Sequence, residues 1–94
     1  MIWDENKRKL NLEKHGFDFV DAILVLQNQY RLEVESVRND EVRRQTFAYV
    51  AEVFAVLTVV WLPDSHKQRI ISFRRAHKFE REVYHAWLEK DFAD

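Results

Sequence analysis

From Val53 to Leu62 the chain is almost unbroken apolar sequence, rich in β-branched and aromatic side chains and interrupted by Thr58. The run is too short to cross a bilayer as a helix. Its composition instead favours a central strand buried on both faces. The flanking segments supply neighbours for it. Tyr30, Leu32 and Val34 alternate with Arg31, Glu33 and Glu35, the two-residue period of a half-buried strand. Arg38-Asn39-Asp40 is turn material. A second strand is expected over about 42–50, with Val42, Arg44, Thr46, Ala48 and Val50 opposite Arg43, Gln45, Phe47 and Tyr49. Pro63-Asp64-Ser65 breaks the apolar run, and a fourth strand follows from about Gln68 to Phe73. Four consecutive strands with short turns predict an antiparallel meander.

Helices are expected on either side of this block. Asp4 is an N-cap candidate for a first helix running to about His15, and Gly16, the one glycine of the chain, stands where a left-handed C′ residue is wanted. Asp18 can cap a second helix, with Asp21 three residues on and a broad apolar face of Phe19, Val20, Ile23, Leu24 and Leu26 up to about Gln27. A last helix is expected from about Arg75 to Leu88. Its spacing places Ala76, Phe79, Val83 and Trp87 on one face and His77, Lys78, Arg81 and Glu82 on the other. The order is ααββββα. The expected fold is a single α+β domain over residues 1–94, a four-stranded antiparallel sheet packed against helices on one face.

Composition excludes several function classes. The chain is 47% hydrophobic and 14% aromatic, enough for a modest core and against disorder. Without cysteine there is no disulfide framework and no cysteine-ligated zinc. The opening Met1-Ile2-Trp3-Asp4-Glu5-Asn6 does not read as a signal peptide, so a cytoplasmic protein without a membrane segment is expected. His15, His66, His77 and His85 show no metal-ligand spacing, and no glycine-rich phosphate loop exists, so neither metal nor cofactor is expected.

Net charge is −1, but its distribution is uneven. Lys67, Arg69, Arg74, Arg75, Lys78 and Arg81 face a single acid, Glu80, within one stretch, while Glu82, Glu89, Asp91 and Asp94 lie beyond it. Such segregation builds a local positive field on a nearly neutral protein. Arg74 and Arg75 fall at a strand-to-helix junction, where free backbone N–H groups favour anions and a cation is out of place unless an anion arrives. Arginine also suits bidentate phosphate contacts. The competing explanation is an ion pair from Arg74 or Arg75 to Glu80 or Glu41. Tyr84, four residues after Glu80, is either a ligand contact or a half-buried core residue. Lys14-His15 suits the helix dipole at a C-terminus, and His15 also titrates in the range a general acid or base needs. Glu41 and Arg43 flank the first hairpin turn, where a surface ion pair is the ordinary explanation.

These residues together resemble the BrnT toxin family. The resemblance starts at Trp3-Asp4, continues through Lys7, Asn11, Lys14-His15-Gly16, Phe19 and Ala22, and resumes at Glu41-Val42-Arg43. It ends with Arg69-Ile70-Ile71-Ser72-Phe73-Arg74-Arg75-Ala76, Glu80-Arg81 and Tyr84. The chain departs from the family at Ala48 and at Ala51-Glu52, where glycine is usual. The resemblance implies a RelE-like fold and a ribonuclease that arrests translation. It also implies inhibition by a BrnA-type antitoxin, through which alone the complex would reach operator DNA.

RNA can be cut without metal when the 2′-OH attacks the adjacent phosphate. On that reading Arg74 and Arg75 hold the phosphate, with Arg43 as a third positive contact. Glu41 or His15 accepts the 2′-OH proton, and His15 or Tyr84 protonates the leaving oxygen. Lys14, Arg69, Lys78 and Arg81 are expected to contact the RNA backbone. The alternative is a non-catalytic module that binds nucleic acid or a partner through the same basic face.

Overall fold

The computed structural model describes residues 1–92, and Ala93 and Asp94 lie outside the described residues. Elements run in the order α1 (Glu5–His15), a 3₁₀ turn (Phe19–Ala22), α2 (Ile23–Leu26), β1 (Leu32–Arg38), β2 (Glu41–Val50), a second 3₁₀ turn (Ala51–Val53), β3 (Ala55–Asp64), β4 (Lys67–Arg75) and α3 (Lys78–Phe92). The expected α+β order and antiparallel meander are both present, with sheet order β1-β2-β3-β4. Two-residue turns join β1 to β2 and β3 to β4, with Arg38 opposite Glu41 and Asp64 opposite Lys67. Asn39, Asp40, Ser65 and His66, the central residues, all have positive φ. Positive φ at both positions marks the type I′ turn, whose twist matches that of the flanking strands.

Local chemistry sets α1. The Asp4 carboxylate accepts from the Asn6 and Lys7 N–H groups, and Gly16, at φ 77°, returns its N–H to the Leu12 carbonyl at 2.8 Å. Arg8 then donates to both oxygens of Asp18, at 2.8 and 2.9 Å, which ties α1 to the following turn. The segment expected as one amphipathic helix is a 3₁₀ turn followed by a single short helical turn. Phe19, Ala22, Val25 and Leu26 are buried, while Val20, Ile23 and Leu24 stay exposed.

Alternation along the strands divides the core between the two sheet faces. Ala48, Val50, Leu57, Val59, Trp61, Ile70 and Phe73 pack against Phe19, Ala22, Val25 and Leu26. Phe47 and Val56 point the other way and meet Tyr84, Trp87 and Leu88 of α3. Helices therefore cover both faces rather than one. The phase and start of α3 also differ from expectation. Arg75 still pairs with Leu57 as part of β4, so the helix begins three residues later, at Lys78. Phe79 is 73% exposed and Val83 is 40% exposed, whereas Tyr84 is buried and Glu80 half-buried. Glu80 sets this phase. Its carboxylate accepts from the His77 N–H at 2.7 Å, the reach-back half of a capping box, and its bonds to Arg74 and Gln45 hold the Glu80–Tyr84 side towards the sheet.

Side chains complete the sheet where strands run out. β1 starts at Leu32, opposite Phe47, so Tyr49 has no β1 residue across from it. The Tyr84 hydroxyl accepts from the Tyr49 N–H at 3.2 Å and donates to the Tyr30 carbonyl at 2.7 Å, and Asn28 donates to the Tyr49 carbonyl. Tyr84→Phe removes both hydroxyl bonds and is expected to lower stability by about 2 kcal/mol, since two backbone groups lose their partner. Denaturant unfolding checks this. An unchanged midpoint would show that the hydroxyl does not hold β1 to α3.

On the opposite side, Ile2 bridges the outer edge of β4 at Gln68 and Ile70. Further along that edge, Asn11 of α1 accepts from the Phe73 N–H at 3.1 Å and donates to the Phe73 carbonyl at 2.7 Å. An amide side chain thus stands in for a fifth strand, and α1 is fixed alongside β4.

Candidate functional site

α3 covers only part of its sheet face. Register lays the rows out: Val34, Gln45, Val60 and Ser72 stand abreast, and Leu32, Phe47, Thr58 and Arg74 form the next row. α3 shields the row of Phe47, while Glu80 overhangs the row of Gln45. Beyond that overhang lies an open polar cleft of about 270 Å³. Arg38, Arg43 and Arg74 line it with Ser36, Gln45 and Ser72, and Glu80 is its one carboxylate. Arg74 is paired there with Glu80 and Arg43 with Glu41 at the rim, while Arg38 has no ion-pair partner among the described residues, so the concave surface carries a net positive charge.

Glu80 organises this cleft. Arg74 donates to both of its oxygens, at 2.7 and 3.0 Å, and Gln45 donates to it at 2.8 Å. Burial works against the Glu80 carboxylate. The hydrogen bonds from Arg74, the His77 N–H and Gln45, with the Arg74 charge, outweigh burial and hold its pKa at about 2. Glu80 is therefore a fixed anion at neutral pH. Arg43 is steered by Glu41, which accepts from its Nε at 2.9 Å at the cleft rim.

A second groove, lined by Lys7, Lys14 and His15 of α1, meets the cleft at Ile71 and Ser72. His15 is half-buried, and its pKa is lowered by burial first, then by the charges of Lys14, Arg74 and His77. A lowered pKa favours the neutral imidazole, the form that can accept a proton. Among the described residues no three His, Asp or Glu side chains gather as a metal site, and no helix is long and apolar enough to cross a membrane.

Of the residues singled out in the sequence, Arg43 and Arg74 line the cleft, Glu41 holds Arg43 at its rim, and Lys14 and His15 line the adjoining groove. The structure separates the rest. Arg74 and Arg75 are consecutive strand residues and so point to opposite faces. Arg74 pairs with Glu80, which is the ion-pair alternative; Arg75 lies over the Phe17 ring at 5.7 Å on the other side. The placement of Arg75 at a helix start is corrected by the same fact, since it ends β4. Tyr84 is 1% exposed and its hydroxyl is engaged between the Tyr30 carbonyl, just ahead of β1, and the Tyr49 N–H of β2. Arg69 pairs with Asp64 at 3.1 Å near the far hairpin, Lys78 opens α3 in solvent, and Arg81 caps the Ala76 carbonyl. Arg38, Gln45 and Ser36 carry no functional signal in the sequence, and Ser72 enters there only within the Arg69–Ala76 block of the family resemblance. Only the strand register places them in the cleft.

No curated protein matches the chain. A family model described as ribonuclease toxin, BrnT, of type II toxin-antitoxin system matches residues 3–80. The matched span takes in α1, the whole sheet and Glu80, and so both walls of the cleft. On that match the chain belongs to the BrnT family of ribonuclease toxins of type II toxin–antitoxin systems.

Proposed function

We propose that this chain cleaves RNA without a metal ion in the cleft beneath Glu80, arrests translation by doing so, and is neutralised in the cytoplasm by a BrnA-type antitoxin. The observation that carries the site is the gathering of Arg38, Arg43 and Arg74 on one open sheet face beside a His15 whose pKa is lowered. The scissile phosphate sits against Arg43 and the outer side of Arg74, which stabilise the charge that develops on its oxygens. His15 accepts the 2′-OH proton as the 2′-oxygen attacks phosphorus. The bond to the 5′-oxygen breaks, and water returns a proton to that oxygen. The products are a 2′,3′-cyclic phosphate and a 5′-hydroxyl. Glu41 positions Arg43, and Glu80 positions Arg74. Lys14 and Lys7 extend the positive track for the RNA backbone along α1.

The purified chain is expected to cleave RNA equally well with and without EDTA. His15→Gln is expected to lower kcat by about 100-fold, the lower range for loss of a general base. Loss of cleavage on chelation with recovery on adding a divalent ion would overturn the metal-free route. Salt-sensitive binding that leaves RNA intact would instead make the chain a binding module.

A further inference from the structure

The connection from β2 to β3 ends in a residue that core packing does not explain. Phe54 is 84% exposed and adopts the left-handed conformation, φ 52° and ψ 42°. That conformation is costly for a bulky side chain, and a large aromatic in open solvent gains nothing from burial. Beside it lies a shallow recess of about 320 Å³ that also receives Tyr49, Arg75, Arg81 and His85. Its lining includes two arginines and no carboxylate. Among the described residues neither arginine forms a salt bridge. Arg75 is held over Phe17 and Arg81 against the Ala76 carbonyl, so both heads are steered without being neutralised.

We propose that this recess is a second RNA subsite, which holds one unpaired nucleotide flanking the cleavage point. This rests on the reading of the cleft as an RNA-cleaving site. The base stacks on the Phe54 ring, and its phosphate lies between Arg75 and Arg81. An exposed ring beside unneutralised guanidinium groups is the combination that single-stranded nucleic acid recognition uses, because every base has a π-face and every nucleotide a charge. An acidic peptide would use the arginines but leave the ring unexplained. The recess and the cleft share one stretch of chain. Arg74 lines the cleft and Arg75 the recess, the Arg75 head being held over Phe17 at the recess edge, while Glu80 is bonded to Arg74 and the next residue, Arg81, lines the recess. An RNA strand that crosses the end of β4 meets both.

The test uses a single-stranded oligoribonucleotide carrying 2′-O-methyl groups throughout, which binds but cannot be cut, together with its all-ribose counterpart. Phe54→Ala is expected to raise Kd for the methylated strand about tenfold, in line with loss of one base–aromatic stack. Phe54→Gly, which also relaxes the left-handed backbone, is expected to melt no lower than wild type and lose the same affinity. Phe54→Trp is expected to restore binding and to show fluorescence quenching beyond that of the native tryptophans. Arg75→Gln leaves stacking in place but is expected to flatten the dependence of log K on log salt by about 0.7, one phosphate contact. Unchanged Kd in Phe54→Ala and Phe54→Gly would overturn the subsite while wild-type cleavage of the ribose strand continues, leaving the cleft reading intact. Loss of antitoxin binding in Phe54→Ala with RNA affinity unchanged would assign the surface to the partner and overturn it too. If wild type neither binds nor cleaves, the cleft reading fails and the subsite with it.

Discussion

Replacing Arg74 by alanine is expected to slow RNA cleavage by about 100- to 1000-fold, the loss seen when one preorganised donor to a developing oxyanion is removed. The same change also disturbs the fold, and the two effects have to be separated. Arg74 and Glu80 are both largely buried, with side-chain exposures of 18% and 16%. Removing the arginine leaves the carboxylate with only the His77 N–H and Gln45, at an expected cost of about 2 kcal/mol. Glu80→Gln breaks the charge pair from the other side while leaving the guanidinium in the cleft. If Arg74 serves the phosphate, Glu80→Gln destabilises comparably but keeps cleavage within about tenfold of wild type, because the cation remains. Arg74→Lys keeps the charge and loses the bidentate geometry, so it falls between the two. Equal loss of cleavage in Arg74→Ala and Glu80→Gln, in proportion to lost stability, would reduce Arg74 to an anchor for α3.

Acid titration reports the same pair. The Glu80 pKa is lowered from 4.5 to about 2 in the folded chain. Above pH 4.5 the carboxylate is ionised in both states and its contribution to stability is complete. As pH falls from 4.5 towards 2 the unfolded chain takes up the proton first, so that contribution is lost, on the order of 3 kcal/mol across the window. In Arg74→Ala the acid-dependent loss is expected to shrink markedly. Melting temperatures between pH 5 and 2 read it directly.

What could be read from the sequence follows from which interactions are local. Asp4, Gly16 and Asp18 act on backbone groups within four residues of themselves, so their capping roles were visible in the order of residue types. The alternation through β1 is equally visible, because only its Leu32–Val34 face meets α3, whereas β2 is packed on both faces, Phe47 against α3 and Ala48 and Val50 against the opposite helix layer. The junction after Phe73 is not visible. Arg74-Arg75-Ala76-His77-Lys78 carries no apolar alternation, so nothing local marks the extension of β4 to Arg75 or the late start of α3. The separation of the two arginines follows from that missed boundary. The phase of α3 is hidden in the sequence for a related reason. Phe79 and Val83 outrank Glu80 in hydrophobicity, yet Glu80 turns inward because Arg74 and Gln45 wait for it on two different strands. The cleft itself is a product of register. Ser36 lies opposite Arg43, and Gln45 opposite Val60 with Ser72 beyond it, pairings that no sequence spacing announces.

Asn11 is expected to be the costliest polar residue to remove. Asn11→Ala deprives the Phe73 N–H, the Phe73 carbonyl and the Phe17 carbonyl of a partner in a place where Asn11 is 8% exposed. Three stranded backbone groups amount to about 3 kcal/mol. For a domain of this size that lowers Tm by roughly 15 °C. Asn11→Asp distinguishes the donor from the acceptor half of the amide. The carboxylate still accepts from the Phe73 N–H but turns an acceptor oxygen on the two carbonyls, so at neutral pH it is expected to be at least as damaging as alanine. Its carboxyl pKa is then raised in the folded state, because only the protonated acid donates. The variant therefore gains stability as pH falls towards 4, opposite in sign to the Glu80 contribution. Activity links this residue to the site. His15 lies one helical turn beyond Asn11 on the same side of α1, and both line the groove that meets the cleft. Loosening Asn11 should lower stability and kcat together, while His15→Gln lowers kcat alone. An Asn11→Ala variant that melts within a few degrees of wild type, with cleavage intact, would show that α1 is held to β4 by its apolar contacts and not by this amide.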